Sequence, residues 1–223
     1  MRMSDTTVKL TPMKKAMAKQ MIRSLEIPQF QIETEVNCEK LMALRKEVPY
    51  RPSVTTVWVK AVTEVLKSHP ILNSSYVDTS AIELHEEIGM GIAVDTPKGL
   101  VVPVIHHAEA MNLQQIHEAM EEIKEKGKTG RFSVEDLTGG TFTVSSLGMF
   151  RVTSFKAIVN TPQAGILALS RITEKPVVND GKIRGAKIMK ISLSADHRVA
   201  DGAECARFIS ELAELIENPE NII

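Results

Sequence analysis

Apolar and polar residues alternate from Phe30 to Val36, with Phe30, Ile32, Thr34 and Val36 on one side, the two-residue period of a strand with one buried face. Lys187 to Leu193 carries the same period. The pattern then switches to helical spacing over Ala203 to Glu217, where Ala203, Ala206, Ile209, Leu212, Leu215 and Ile216 share a face. Thr11-Pro12 opens a helix whose Met13, Met17, Met21 and Leu25 align. Asn37 is placed to cap a second helix through Leu41 to Arg45. Ser53 to His69 reads as a third, with Val57, Ala61, Val62, Val65 and Leu66 turned inward and Pro70 disfavouring continuation. Asn112 to Lys128 is an amphipathic helix with a solvated charged face. Ile88 to Ile105 reads as two strands joined by the turn Pro97-Lys98-Gly99. Leu137 to Phe150 contains a β-branched strand ending in Ser145-Ser146, and Asn179-Asp180-Gly181 predicts a hairpin turn.

Composition narrows the setting. A chain of 223 residues that is 43% hydrophobic can bury one sizeable core, and its low aromatic content with 11 methionines makes that core aliphatic. A net charge of −1 gives no electrostatic case for nucleic acid or an acidic membrane, and the apolar runs are too short to span a bilayer. The N-terminus lacks a signal-peptide pattern, and Cys38 and Cys205 make no disulfide framework, so a reducing, cytoplasmic setting is expected. No internal repeat or low-complexity segment is present.

The densest chemistry is Ser194-Ala195-Asp196-His197-Arg198-Val199-Ala200-Asp201-Gly202, which falls between a strand and a helix. Loops on a rigid scaffold commonly carry chemistry, and imidazole exchanges protons near neutral pH. A lone histidine among charges is more often a solvated loop residue, and Ser145-Ser146-Leu147-Gly148 taken alone is ordinary strand-end chemistry. Gly89-Met90-Gly91 lacks the following helix that a phosphate loop requires. His106, His107 and His117 have no cysteine or carboxylate pattern for a metal, so none is assigned.

Asp196-His197-Arg198 followed at the right spacing by Asp201-Gly202 resembles the signature of the dihydrolipoyl acyltransferases, the acyl-transfer core subunits of 2-oxo acid dehydrogenase complexes. Lys9 to Lys19, His69 to Asn73, Ile88 to Ile105 and Gly140 to Gly148 are similar to the family too, so the resemblance runs from about Val8 to Ile223. The chain departs from the family pattern at Lys14, at Gln20, at Gln29 within Pro28-Gln29-Phe30, and at Arg151, where a glycine is usual.

The resemblance implies an α/β (α+β two-layer sandwich) fold, a mixed sheet flanked by helices as in chloramphenicol acetyltransferase. Residues 1–223 would be one acyltransferase catalytic domain with no lipoyl or peripheral-subunit-binding domain. The implied reaction moves an acyl group between a dihydrolipoyl thiol and coenzyme A. His197 would be the general base, Ser145 the oxyanion donor, and Asp201 a residue holding the loop through an ion pair. Arg198 is read as structural. The run Phe155 to Ala168 looks most like acetyl-transferring members, so acetyl is the expected group. Coenzyme A or its acyl form would be a substrate, its binding residues unassigned, with the lipoyl group supplied in trans on a carrier domain. The implied assembly is a homotrimer, with larger shells of trimers and dehydrogenase partner subunits in many relatives. Such shells use an apolar C-terminal tail, with which the short Ile222-Ile223 is compatible without deciding it. Two alternatives stand beside this reading: a stand-alone acetyltransferase for another small acceptor, and a non-catalytic core scaffold.

Overall fold

The computed structural model describes residues 6–179 and 181–222. In chain order the elements are α1 (Pro12–Leu25), β1 (Gln29–Asn37), α2 (Glu39–Glu47), α3 (Val54–Leu66), β2 (Ser74–Asp78), β3 (Ala81–Leu84), β4 (Met90–Ile92), β5 (Val94–Thr96), β6 (Gly99–Val101), β7 (Val104–Ile105), α4 (Leu113–Thr129), β8 (Phe142–Ser146), β9 (Gly165–Leu169), β10 (Thr173–Asn179), β11 (Lys182–Asp196) and α5 (Gly202–Glu217).

Seven strands form one mixed sheet in the order β1-β11-β9-β8-β4-β7, with β10 pairing the first half of β11. The pairs β4–β8 and β8–β9 are parallel and the others antiparallel. This is the mixed sheet flanked by helices that the sequence implies. β11 is its longest member because its residue period serves two partners in succession, β10 over its first half and β1 over its second. On its second half Met189, Ile191, Leu193 and Ala195 belong to the main core, with Val36, Phe142, Val144, Leu167 and Leu169. α5 lies on β1 and β11, α3 packs on α5, and α4 packs on α3. The alternate residues Ser192, Ser194 and Asp196 are also buried. On the same side a small cluster of Ile27, Val159 and Ile166 forms, with Ala157 against it.

Several expectations are refined. Asn37 does not cap α2 as its N-cap residue: Cys38 holds that position, and the Asn37 side chain instead accepts the Glu39 backbone N–H at 3.0 Å. The Ile88–Ile105 segment folds as four short strands, because its inner halves leave the main sheet and pair with each other as β5–β6. There Gly89 is a packing glycine: a Cβ would lie 1.9 Å from the Gly139 carbonyl oxygen. Close approach of two backbones, not phosphate binding, explains it. The hairpin between β10 and β11 forms with Gly181 at φ +73°, while Asp180 lies outside the described residues.

The methionine face of α1 is not buried by its own chain. Leu25 is 75% exposed, Met17 is exposed as well, and Ser24 is the helix's one buried residue. On α5 the buried residues are Cys205, Phe208, Ile209, Leu212 and Ile216, so the covered stripe is rotated away from Ala203 and Ala206, which are exposed. Ile222 is fully buried in the main core after a single 3₁₀ turn at Pro219–Asn221, so it is occupied within its own subunit; Ile223 lies outside the described residues.

Candidate active site

β11 ends at Asp196 because the register with β1 ends there, at Gln29 opposite Asp196. The chain then turns once. Val199 and Ala200 donate backbone N–H bonds to the Asp196 carbonyl, and α5 starts at Gly202. Asp196 is almost fully buried, and its carboxylate accepts from Arg198 at both oxygens, Nε to Oδ1 at 3.0 Å and Nη2 to Oδ2 at 2.7 Å. That pairing keeps the Arg198 guanidinium firmly charged, its pKa raised first by the hydrogen bond to Asp196. The guanidinium also lies 3.8 Å from the centre of the Tyr76 ring, a cation–π contact to β2. Arg198 is therefore a structural brace, as the sequence reading has it.

At the other end of the turn Asp201 is the N-cap of α5. Its Oδ1 accepts the Glu204 N–H at 2.8 Å while Glu204 Oε2 accepts the Asp201 N–H at 2.8 Å, a reciprocal capping box. No cation stands within salt-bridge distance of Asp201 among the described residues, so the expected ion pair is replaced by a helix cap. The Glu204 backbone N–H holds the Asp201 carboxyl below its usual range. The cap is thus complete above the ordinary aspartate value and is lost as pH falls through the lowered one.

Between these two anchors His197 is exposed. Its backbone N–H donates to the Pro28 carbonyl at 3.0 Å, and its ring lies 4.4 Å, centroid to centroid, from Phe30. The imidazole makes no hydrogen bond among the described residues.

Ser145 stands near the end of β8, half-buried, beside a groove of about 880 Å³ walled by β5, β6 and α4 and mostly apolar. Its hydroxyl makes no hydrogen bond among the described residues, whereas Ser146 Oγ accepts from Thr55 Oγ1 at 3.3 Å. Both hydroxyls keep their own proton free to donate, because an accepted bond uses a lone pair and not the O–H.

The subunit does not bring His197 and Ser145 together. Ser145 pairs with Ala168 on β9, and Ala168 with Ser192 on β11. Two strand spacings of about 4.8 Å and five residues at about 3.3 Å place the two residues on the order of 15–20 Å apart. The groove at Ser145 accordingly has no contribution from His197.

The other histidines are otherwise engaged. His69 Nε2 meets Glu211 Oε2 at 2.8 Å at the end of α3, His117 stacks on Tyr50, and His106 reaches the Glu135 carbonyl. No group of three or more metal-ligating residues occurs among the described residues. Cys38 and Cys205 are free and buried, and desolvation pushes both thiols up to about 12, which makes them inert. Two residues beside the turn escape a sequence reading: Phe30 against His197, legible only as a strand residue, and Tyr76 against Arg198, for which no local pattern exists.

The sheet order and its helical layer are shared with chloramphenicol acetyltransferase, with a TM-score of 0.62 over 89% of this chain and 94% of that one; at 14% identity the likeness is one of fold. Residues 2–223 match the family of 2-oxoacid dehydrogenases acyltransferase (catalytic domain), and the chain belongs to that family. It is 33% identical to the dihydrolipoyllysine-residue acetyltransferase component of the pyruvate dehydrogenase complex of Staphylococcus epidermidis, over 98% of this chain and 53% of that protein. It is 32% identical to the succinyltransferase component of the 2-oxoglutarate dehydrogenase complex of Haemophilus influenzae, over 99% of this chain and 56% of that protein. The chain thus spans about half the length of these curated relatives. Among solved structures, dihydrolipoamide acetyltransferase of Azotobacter vinelandii superposes with a TM-score of 0.93 at 32% identity, covering 98% of this chain and 94% of that one. That structure addresses the role of a serine, a histidine and an asparagine in the catalytic mechanism.

Proposed function

We propose that this chain transfers an acyl group, acetyl by preference, between a dihydrolipoyl thiol and coenzyme A, and that residues 1–223 act as the catalytic domain for that step. The observation that carries the reading is the His197 turn, an exposed imidazole held between a buried ion pair and a capped helix. A thiol with a pKa of about 8.5 is mostly protonated at neutral pH. His197 takes the proton from the attacking sulfur, which adds to the thioester carbonyl. Ser145 donates a hydrogen bond to the oxyanion of the tetrahedral adduct. Collapse breaks the original carbon–sulfur bond, and His197 returns the proton to the departing sulfur. Asp201 serves by fixing the start of α5 and with it the turn.

Support for these roles comes from intervals. The serine, histidine and asparagine of the Azotobacter enzyme are spaced along its chain as Ser145, His197 and Asp201 are here. Asparagine and aspartate both cap helices, which suits the position observed for Asp201. Because one subunit leaves His197 and Ser145 apart, the proposal includes a homotrimer in which the histidine turn of one subunit faces the serine strand of the next. A lipoylated carrier domain, dehydrogenase partner subunits and a cytoplasmic location belong to the same proposal.

Acetyl-coenzyme A with dihydrolipoamide, followed by chromatographic separation of free coenzyme A from acetyl-coenzyme A and compared with other small acceptors, tests the function. Turnover with dihydrolipoamide is expected; turnover with another acceptor alone supports the stand-alone acetyltransferase, and none at all supports the scaffold. Since relatives of both acetyl and succinyl type match this chain, the acyl group is tested separately. Acetyl-coenzyme A is expected to exceed succinyl-coenzyme A in kcat/KM, on the likeness of Phe155 to Ala168; the reverse order overturns it.

Ser145→Ala is expected to lower kcat by about 10²–10³ with KM nearly unchanged, the usual cost of removing one oxyanion donor. Ser146→Ala should be mild, because it is Ser145 whose interval to His197 matches that of the serine and histidine of the Azotobacter enzyme. Steady-state kinetics on both variants decide which serine acts; a costly Ser146→Ala refutes the assignment.

A further inference from the structure

We propose that Phe30 is the positioning residue of His197, setting the orientation of the imidazole through ring contact alone. The inference rests on the acyl-transfer reading above. His197 is exposed, and its two ring nitrogens have no hydrogen-bond partner among the described residues of the subunit. Backbone anchoring through Pro28, Asp196 and Asp201 fixes where the imidazole starts but leaves its side-chain torsions free. What meets the ring is Phe30, with centroids 4.4 Å apart and planes inclined by 40°.

Phe30 is suited to this. It sits at the second position of β1, in register with Ala195, two residues before the histidine on β11. Its ring is partly buried against the main core, which limits its own motion. The same strand start holds both parts of the histidine, since the Pro28 carbonyl takes the backbone N–H and Phe30 meets the ring. An aromatic face also attracts the imidazolium that forms each time a proton is taken from a thiol. The contact therefore favours the charged intermediate state of the base as well as its direction. An aliphatic residue of similar volume would fill the space without offering a flat, electron-rich surface.

The test is a set of variants measured for kcat and for both KM values, each checked for unchanged melting temperature and assembly size. Phe30→Leu is expected to lower kcat about 10- to 100-fold, the scale of losing near-attack geometry, with both KM values within about twofold. Phe30→Ile, which suits a strand, serves if the leucine variant folds poorly and carries the same expectation. Phe30→Tyr should restore kcat to within about threefold of the native enzyme, since the ring face is retained. In a His197→Ala background Phe30→Leu should cost nothing further, because a residue acting through the histidine has nothing left to position. Unchanged kcat in Phe30→Leu, or an equal loss added on top of His197→Ala, overturns the inference and leaves the proposed function standing. Full turnover in His197→Ala alone overturns the proposed function itself.

Discussion

Replacing His197 with alanine is expected to lower turnover by about 10²–10⁴, the contribution of a positioned acid–base group, while leaving the fold intact. The imidazole is exposed and has no hydrogen bond among the described residues, so its removal leaves no buried group there without a partner. The structural anchors of the turn are the Asp196–Arg198 pair and the Asp201 cap, and neither passes through the His197 side chain. A second measurement addresses the 15–20 Å or so separating His197 from Ser145 along the sheet. His197→Ala and Ser145→Ala subunits, each nearly inactive alone, are unfolded together and refolded as a mixture. If each site takes its histidine from one subunit and its serine from the next, about a quarter of the interfaces in a random equal mixture hold both intact groups. Activity should return toward that fraction of the native rate. Mass spectrometry first establishes that mixed trimers have formed. If they form and the rate stays at the level of the single variants, the site is not shared.

The largest loss of stability is expected at Arg198. Asp196 is 1% exposed, and its carboxylate has accepted three hydrogen bonds from the Arg198 side chain and one from the Arg198 backbone. Arg198→Met keeps much of the volume and removes the charge, leaving a buried carboxylate without its counter-ion. Breaking a fully buried pair costs about 3–5 kcal/mol. Because the Arg198 side chain is 32% exposed, water can reach part of the site, and about 2–3 kcal/mol is the expected loss. At roughly 2–4 °C per kcal/mol for a chain of this size, the melting temperature should fall by about 4–12 °C. The Tyr76 contact to β2 is lost in the same variant, so activity should fall below what the lowered stability alone produces. Calorimetry of the assembled protein, with kcat measured well below the transition, checks both. An unchanged melting temperature shows that Asp196 has found another partner and that the brace is not Arg198.

How much of this is legible in the chain depends on whether the physics is local. The alternation from Phe30 to Val36 marks β1, the apolar spacing of Val57 to Leu66 marks α3, and Thr11-Pro12 marks the start of α1, because each signal lies within one turn or one pleat. The histidine turn is readable for the same reason: a strand period, a charged connection and a helical period follow one another without a gap. Ser145 is readable only beside its family likeness, since a strand ending in two serines does not say which hydroxyl acts.

The misreadings have the same origin. The family resemblance implies an ion pair at Asp201, whereas among the described residues its carboxylate accepts an N–H at the start of α5, a group that needs an acceptor. The α1 stripe of Met13, Met17, Met21 and Leu25 promises burial, and helical periodicity gives a helix one apolar face without saying which body covers it. The sequence by itself therefore determined the main helices, the strands β1, β8 and β11, the family and the positions of the two motifs, because these depend on neighbours along the chain. Only the tertiary structure decided that Phe30 and Tyr76 surround the histidine turn, that Ile222 is buried in the subunit's own core, and that His197 and Ser145 stand apart on the sheet. Those facts depend on long-range packing and on strand order and register, which join β1 to β11 across more than a hundred positions and β8 to β9 to β11 across shorter gaps, and leave no trace in local pattern.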